Sequence, residues 1–166
     1  MSEWSKCIIV GSGEFSEEHF SYQDKDYLIA ADGGYQYLKE LNIVPHVIIG
    51  DFDSFKIENE MMSDKDCEII KLPIEKDDTD MLAAIRLALS RNLNEIHIYG
   101  ATGGRIDHTF ANIQCLIYIK KHRAKGFIYD GDTVITMMEN ETLSFKGQKK
   151  GRMSLFAIDK EVTGVT

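Results

Sequence analysis

The segment VIIGDFDSF, residues 47–55, ends an apolar run in a turn that carries two aspartates, Asp51 and Asp53, with only Phe52 between them. Carboxylates that near repel each other unless both point into water or a cation lies between them. More acids follow other apolar runs: Asp32 in ADGG, Asp77, Asp78 and Asp80 in KDDTD, and Asp107 in GGRIDH. Gathered in one place, so many carboxylates need counter-charge. Hard oxygen donors with no nearby His pair or Cys pair suit Mg²⁺ better than Zn²⁺. Magnesium usually takes one or two carboxylates and fills its shell with water and phosphate oxygens, so the pattern points to a nucleotide or polyphosphate bridged by the metal. In GATGGR, Gly100, Gly103 and Gly104 let backbone N–H groups approach an anion, and Arg105 brings the forked cation that phosphate prefers. Neither GxxxxGK[ST] nor GxGxxG occurs.

Each of these residues also has a plainer reading. An Asp after a strand is often a turn residue or a helix cap. Asp78 can cap the helix that begins near Thr79, Asp80 can complement its dipole, and Asp77 reads as solvated. Gly33 and Gly34 fit a simple turn, and Arg105 can serve as the partner of Asp107. His108 reads as a hydrogen-bonded neighbour of the site rather than a general base, and His19, His46, His97 and His122 have no partner by sequence spacing. What favours chemistry is the arrangement as a whole.

That arrangement depends on the elements between the motifs. Short apolar runs at 7–10, 27–31, 46–50, 67–72, 95–100 and 126–130 alternate with helical patterns, Leu82, Ile85 and Leu89 on one face and Phe110, Ile113, Leu116 and Ile117 on another. Such alternation predicts an α/β fold, a mostly parallel sheet flanked by helices. In an open α/β sheet the turns after each strand share the carboxyl edge, where ligands bind. From about residue 131 the pattern changes to short strand-like pieces, TVITMM, ETLSF and RMSLFAI, which read as the start of an antiparallel β lobe. The expected division is 1–130 for the α/β domain and 131–166 for the lobe.

Composition narrows the partners. A formal charge of −8 and 43% hydrophobic residues describe an ordinary globular chain whose acidic surface suits neither nucleic acid nor an anionic membrane. No apolar stretch approaches the roughly 20 residues that span a bilayer. Cys7, Cys67 and Cys115 lie singly in apolar runs, without CxxC spacing, and read as reduced thiols of a cytoplasmic protein. The N-terminal MSEWSKCIIV has too short an apolar run for a secretory signal.

The ordered set ADGG, GDFDS, KDDTD and GATGGRIDHTFANIQ, within residues 30–114, resembles the thiamin pyrophosphokinase family. The resemblance implies transfer of a diphosphoryl group from ATP to the hydroxyl of thiamin, releasing AMP. It implies that Asp51, Asp53 and Asp80 hold Mg²⁺ and, with Arg105, carry the catalysis. The nucleotide side falls to Asp32, Gly33 and Gly34, to Gly103, Gly104, Arg105, Asp107 and His108, and to Asn112 and Gln114 in the matching helix. Family members are homodimers with a second, β-sandwich domain, and thiamin lies between the α/β domain of one subunit and the sandwich of the other. The family continues for several strands past VTGVT at 162–166, so the chain reads as truncated, with an incomplete sandwich. Two other functions fit the same residues. A non-catalytic Mg·ATP-binding regulatory module would bind and transfer nothing, and a metal-dependent phosphohydrolase would release phosphate without thiamin. The absence of an obvious nucleophile beside a base argues against a covalent phosphoenzyme.

Overall fold

A computed structural model describes residues 4–52, 67–73, 78–144 and 151–165. The strands β1 (Cys7–Val10), β2 (Tyr27–Ala31), β3 (Val47–Gly50), β4 (Glu68–Lys71), β5 (Glu95–Tyr99), β6 (Lys125–Asp130) and β7 (Thr133–Thr136) form one sheet in the order β4-β3-β2-β1-β5-β6-β7. All neighbours are parallel except β6 and β7. Among the described residues the helices are α1 (Gly34–Glu40), α2 (Asp80–Ser90) and α3 (Ile106–Lys121), with one 3₁₀ turn at Glu17–His19.

Strand β1 shows why the apolar runs are continuous rather than alternating. Successive side chains of a strand point to opposite faces, and helices that cover both faces make every position apolar. Cys7 and Ile9 enter one core with Met81, Ala84, Ile85 and Ala88 of α2 and Cys115, Leu116 and Ile119 of α3. Ile8 and Val10 enter the other, with Leu38 of α1 and, packed around it, Phe15, Phe20 and Tyr37. Among the described residues, one face is thus covered by two helices and the other by α1 and aromatic rings. The outer strand β4 keeps Glu68 and Lys71 exposed, which discourages edge-to-edge pairing. At the amino end of the sheet Trp4 packs edge-on against Tyr27 and His46, with ring centroids 5.3 and 4.6 Å away.

Two helical faces differ from the periodicity reading. The buried face of α2 is centred on Met81, Ala84, Ile85 and Ala88, with Leu82 and Leu89 flanking it. In α3, Phe110 is 62% exposed and Ile117 only half-buried, while Asn112, Cys115, Leu116 and Ile119 face inward. The cause is a polar tether: Asn112 Nδ2 donates to the Ala101 carbonyl at 2.7 Å and turns that face of the helix under the β5 loop.

The change of pattern after Gly131 begins with β7, which pairs antiparallel to β6 and extends the same sheet. Among the described residues, 141–144 and 151–165 form no strand, and Met153, Leu155, Phe156 and Ile158 are exposed. Residue 145, the last of ETLSF, lies outside the described residues. A strand needs a neighbour to take its ladder of hydrogen bonds, and these segments have none among the described residues.

Candidate active site at the carboxyl edge

The sheet order reverses at β1, so the turns after β2 and β3 lie on one side of it and those after β5 and β6 on the other. Asp32 follows β2 in the left-handed region, at φ 49°, and its N–H donates to the Ile49 carbonyl at 2.8 Å. A non-glycine residue there is uncommon and is held by its surroundings, a situation typical of functional sites. Gly50 ends β3 against that turn. A Cβ at Gly50 would lie 3.2 Å from Asp32 Cα, so glycine lets the two turns close on each other. The next residue is Asp51, followed by Phe52 at φ 57°.

The third carboxylate arrives on a helix. Thr79 caps α2 by accepting the Leu82 N–H at 3.1 Å, which leaves Asp80 in the first helical turn. Asp32, Asp51 and Asp80, each half-buried, offer oxygens within 4.8 Å of one another. A point therefore exists no more than about 2.8 Å from all three, the centre of an equilateral triangle of that side. Magnesium–oxygen bonds are about 2.0–2.1 Å and calcium's 2.3–2.6 Å, so a hard divalent cation fits this donor set with a small inward movement of the acids. Asp53 and Asp77 lie outside the described residues. Asp78 pairs with Arg86 on α2, and the cap that sequence reading offered to Asp78 belongs to Thr79.

Across β1, the turns after β1 and β5 are joined by their backbones. Gly11 N donates to Tyr99 O, Gly13 N to Gly100 O and Glu14 N to Thr102 O, each at 2.8 Å. Gly100 has φ 61°, and a Cβ on it would stand 2.4 Å from the Gly11 carbonyl oxygen. Thr102 Oγ1 is buried without a hydrogen-bond partner among the described residues. Gly103 and Gly104 continue the loop at φ 79° and 57°, and Gly104 faces open space.

Arg105 and Asp107 form a forked ion pair, Nη2 to Oδ2 at 2.5 Å and Nε to Oδ1 at 3.1 Å. The hydrogen bond from Arg105 holds the Asp107 carboxyl below the usual carboxylate range, and Asp107 raises the guanidinium in turn. With these side chains 70% and 61% exposed, water screens the pair and an incoming anion can compete for Arg105. His108 and Gln114 are exposed. Asn112 is the tether already described. Gly33 caps α1, and Gly34 is needed because a Cβ there would meet the Val10 carbonyl oxygen at 2.0 Å.

The structure thus brings Asp32, Asp51 and Asp80 into one cluster, pairs Arg105 with Asp107 in the glycine loop, and gives Asn112 a structural task. Sequence reading set Asp32 on the nucleotide side rather than with the metal acids. It also left four histidines without partners, and all four have them. His46 Nδ1 accepts the Leu28 N–H at 3.0 Å, and His97 meets Glu95 and the Tyr129 hydroxyl. His19 lies between Ser16 and Asp132, and His122 meets the Tyr118 carbonyl. A further group escaped notice, a cleft at the ends of β5 and β6 lined by Phe15, Tyr99 and Tyr129. The aromatic density of FSEEHFSY at 15–22 was its one sequence signal.

A doubly wound α/β sheet with carboxylates converging at its carboxyl edge defines a domain of the ligand-binding open-sheet class. Residues 20–128 match the family model of the thiamin pyrophosphokinase catalytic domain. The thiamine pyrophosphokinase of Bacillus subtilis is 35% identical over 118 residues, 70% of this chain and 55% of that relative. A crystal structure of thiamine pyrophosphokinase from Bacillus subtilis superposes with a TM-score of 0.68 at 28% identity, covering 81% of this chain and 64% of the other. One from Geobacillus thermodenitrificans gives 0.66 at 31%, covering 78% and 61%. This chain belongs to the thiamin pyrophosphokinase family, and it spans about half the length of the relatives it matches by sequence.

Proposed function

We propose that this chain is the catalytic α/β part of a Mg²⁺-dependent thiamin pyrophosphokinase, acting in the cytoplasm and pairing with a second copy. The reaction joins the thiamin hydroxyl oxygen to the β phosphorus of ATP and breaks the bond between that phosphorus and the α-phosphate oxygen, so AMP leaves. The observation that carries this reading is the cluster of Asp32, Asp51 and Asp80 in a chain of this family. The α/β domain, expected over 1–130, takes in β7 to Thr136 as well, and the rest of 131–166 would include the beginning of the part that completes the thiamin site with a second subunit.

Phosphoryl transfer asks a protein for positioning and charge neutralisation. Asp32, Asp51 and Asp80, with Asp53 as the family resemblance implies, would hold Mg²⁺, and the ion would supply positive charge to the phosphate chain. The half-buried acids keep that charge fixed at the edge of the sheet, where a ready-placed field is worth more than in water. Gly103 and Gly104 allow the backbone to approach the phosphate chain. Arg105 turns from Asp107 to the transferring group. One of the cluster's aspartates takes the proton of the attacking hydroxyl.

Incubation with ATP, thiamin and Mg²⁺, followed by detection of AMP and thiamin diphosphate, tests the proposal. Thiamin-dependent AMP is expected, and Asp51→Asn should lower its rate roughly 10²–10⁴-fold, because the metal's charge stabilisation is lost with the ligand. ATP binding without turnover would instead make the chain a regulatory Mg·ATP module, and thiamin-independent phosphate release would make it a phosphohydrolase. Full activity of Asp51→Asn with unchanged magnesium dependence refutes the role of the cluster.

A further inference from the structure

Helix α1 ties the acid edge of the sheet to the loops at the switch point. It grows out of the Asp32 turn, where Tyr35 N donates to the Asp32 carbonyl at 3.4 Å and Gln36 N to that of Gly33 at 3.0 Å. On the next residue, the half-buried Tyr37, the hydroxyl donates to the Gly13 carbonyl at 2.8 Å, across 24 positions of sequence. The Tyr37 ring is stacked on Phe15, with centroids 4.9 Å apart and planes inclined by 14°. The helix itself has little freedom to move. Leu38 is fully buried in the core with Ile8 and Val10, and Gly34 abuts the Val10 carbonyl.

Gly13 is therefore held from two directions. Its N–H donates to Gly100 O while its carbonyl accepts from Tyr37, and the next N–H, that of Glu14, reaches Thr102 O. Segments 11–14 and 100–104 are fastened to each other through their backbones and to α1 through one side chain. Five of their residues are glycines, Gly11, Gly13, Gly100, Gly103 and Gly104. Glycine loses more conformational freedom on ordering than any other residue, so loops of this composition resist a single shape unless something outside them imposes it. A hydroxyl carried on a rigid helix does so before a ligand arrives, and a binding-competent state that is already populated raises the apparent affinity.

We infer that Tyr37 is a positioning residue, whose hydroxyl holds the paired glycine loops in the conformation that receives the phosphate chain, in fixed relation to Asp32 at the start of the same helix. The inference rests on the phosphate-binding reading of those loops, and its test separates the two. Tyr37→Phe keeps the ring that stacks on Phe15 and removes only the hydroxyl. Calorimetric titration of the 166-residue chain with tripolyphosphate and Mg²⁺ reads phosphate binding, and amide hydrogen exchange reads the order of the loops. One neutral hydrogen bond corresponds to about a 2- to 12-fold change in an equilibrium constant. Tyr37→Phe should weaken Mg·tripolyphosphate by that factor and speed exchange in peptides covering 11–14 and 100–104. Ile8→Val trims the same core without touching Gly13, so it should lower stability and leave the affinity unchanged.

An affinity of Tyr37→Phe that differs from wild type by less than about twofold overturns the inference. So does an equal loss in Ile8→Val, which would trace the effect to general loosening of the core, and so does weaker binding with loop exchange unchanged. A wild type that binds no Mg·tripolyphosphate sinks the phosphate reading and the function assigned to Tyr37 with it, and that failure shows before any substitution is made. If Tyr37→Phe does not fold, the wild type decides. Saturating Mg·tripolyphosphate should slow exchange in 11–14, 100–104 and 35–38 together, and protection of the loops with 35–38 unchanged refutes the link.

Discussion

Gly100→Ala tests whether the turns after β1 and β5 are truly fastened together. Two costs add at this position. The left-handed backbone, φ 61°, charges alanine about 1–2 kcal/mol. The new methyl would also stand 2.4 Å from the Gly11 carbonyl oxygen, a backbone atom in a buried neighbour that cannot swing aside, and forcing an extra carbon into packed structure costs about 1–3 kcal/mol. The sum, about 2–5 kcal/mol, corresponds to a Tm lower by about 4–20 °C for a chain of this size. Gly104→Ala is the control. It shares the positive φ but faces open space, so only the backbone term applies. The gain from a stiffer unfolded chain is common to both variants and cancels in their difference. Urea denaturation followed by circular dichroism should therefore show Gly100→Ala less stable than Gly104→Ala by about 1–3 kcal/mol. Equal losses in the two variants would refute the close approach and, with it, the ladder that joins the loops.

Two further outcomes follow from groups inside the fold. Burial holds the imidazoles of His46 and His97 below the ordinary histidine value of 6.5. The unfolded chain then binds more protons than the folded one below that value, so these residues contribute stability above about pH 6.5 that is lost on acidification. Thermal melts should show His46→Gln losing less stability than wild type between pH 7 and 5, and an equal or steeper loss would contradict the sign. Asn112→Leu leaves the Ala101 carbonyl without its buried donor and should cost about 1–3 kcal/mol in urea. Unchanged stability there would show that the tether does not set the rotation of α3.

The parallel strands were legible because burial on both faces leaves unbroken runs such as CIIV and YLIAA, which little else produces. Asp32, Asp51 and Asp80 were legible because each follows a strand or begins a helix in an architecture that gathers such positions at one edge. The close tie of Asp32 to Asp51 was not, since it depends on Gly50 meeting Asp32 across two strands. The rotation of α3 was hidden for a similar reason: a single polar contact from Asn112 outweighed the placement of Phe110 on the apolar stripe. His19 finds Asp132 at a separation of 113 residues, beyond any local pattern. TVITMM was read as strand-like from local pattern, but that its core would join the existing sheet beside β6 is a tertiary choice the pattern does not contain.

The position of Trp4 bears on how ligand binding can be watched. The chain's only indole leans on Tyr27, where β2 begins, and on His46, which precedes β3, and so sits at the rim of the sheet away from the acid cluster. Its emission will follow the melting of that rim and remain silent as nucleotide or metal arrives. Fluorescence titrations will therefore need a labelled ligand, because quenching of the native signal would record damage to the fold rather than occupancy.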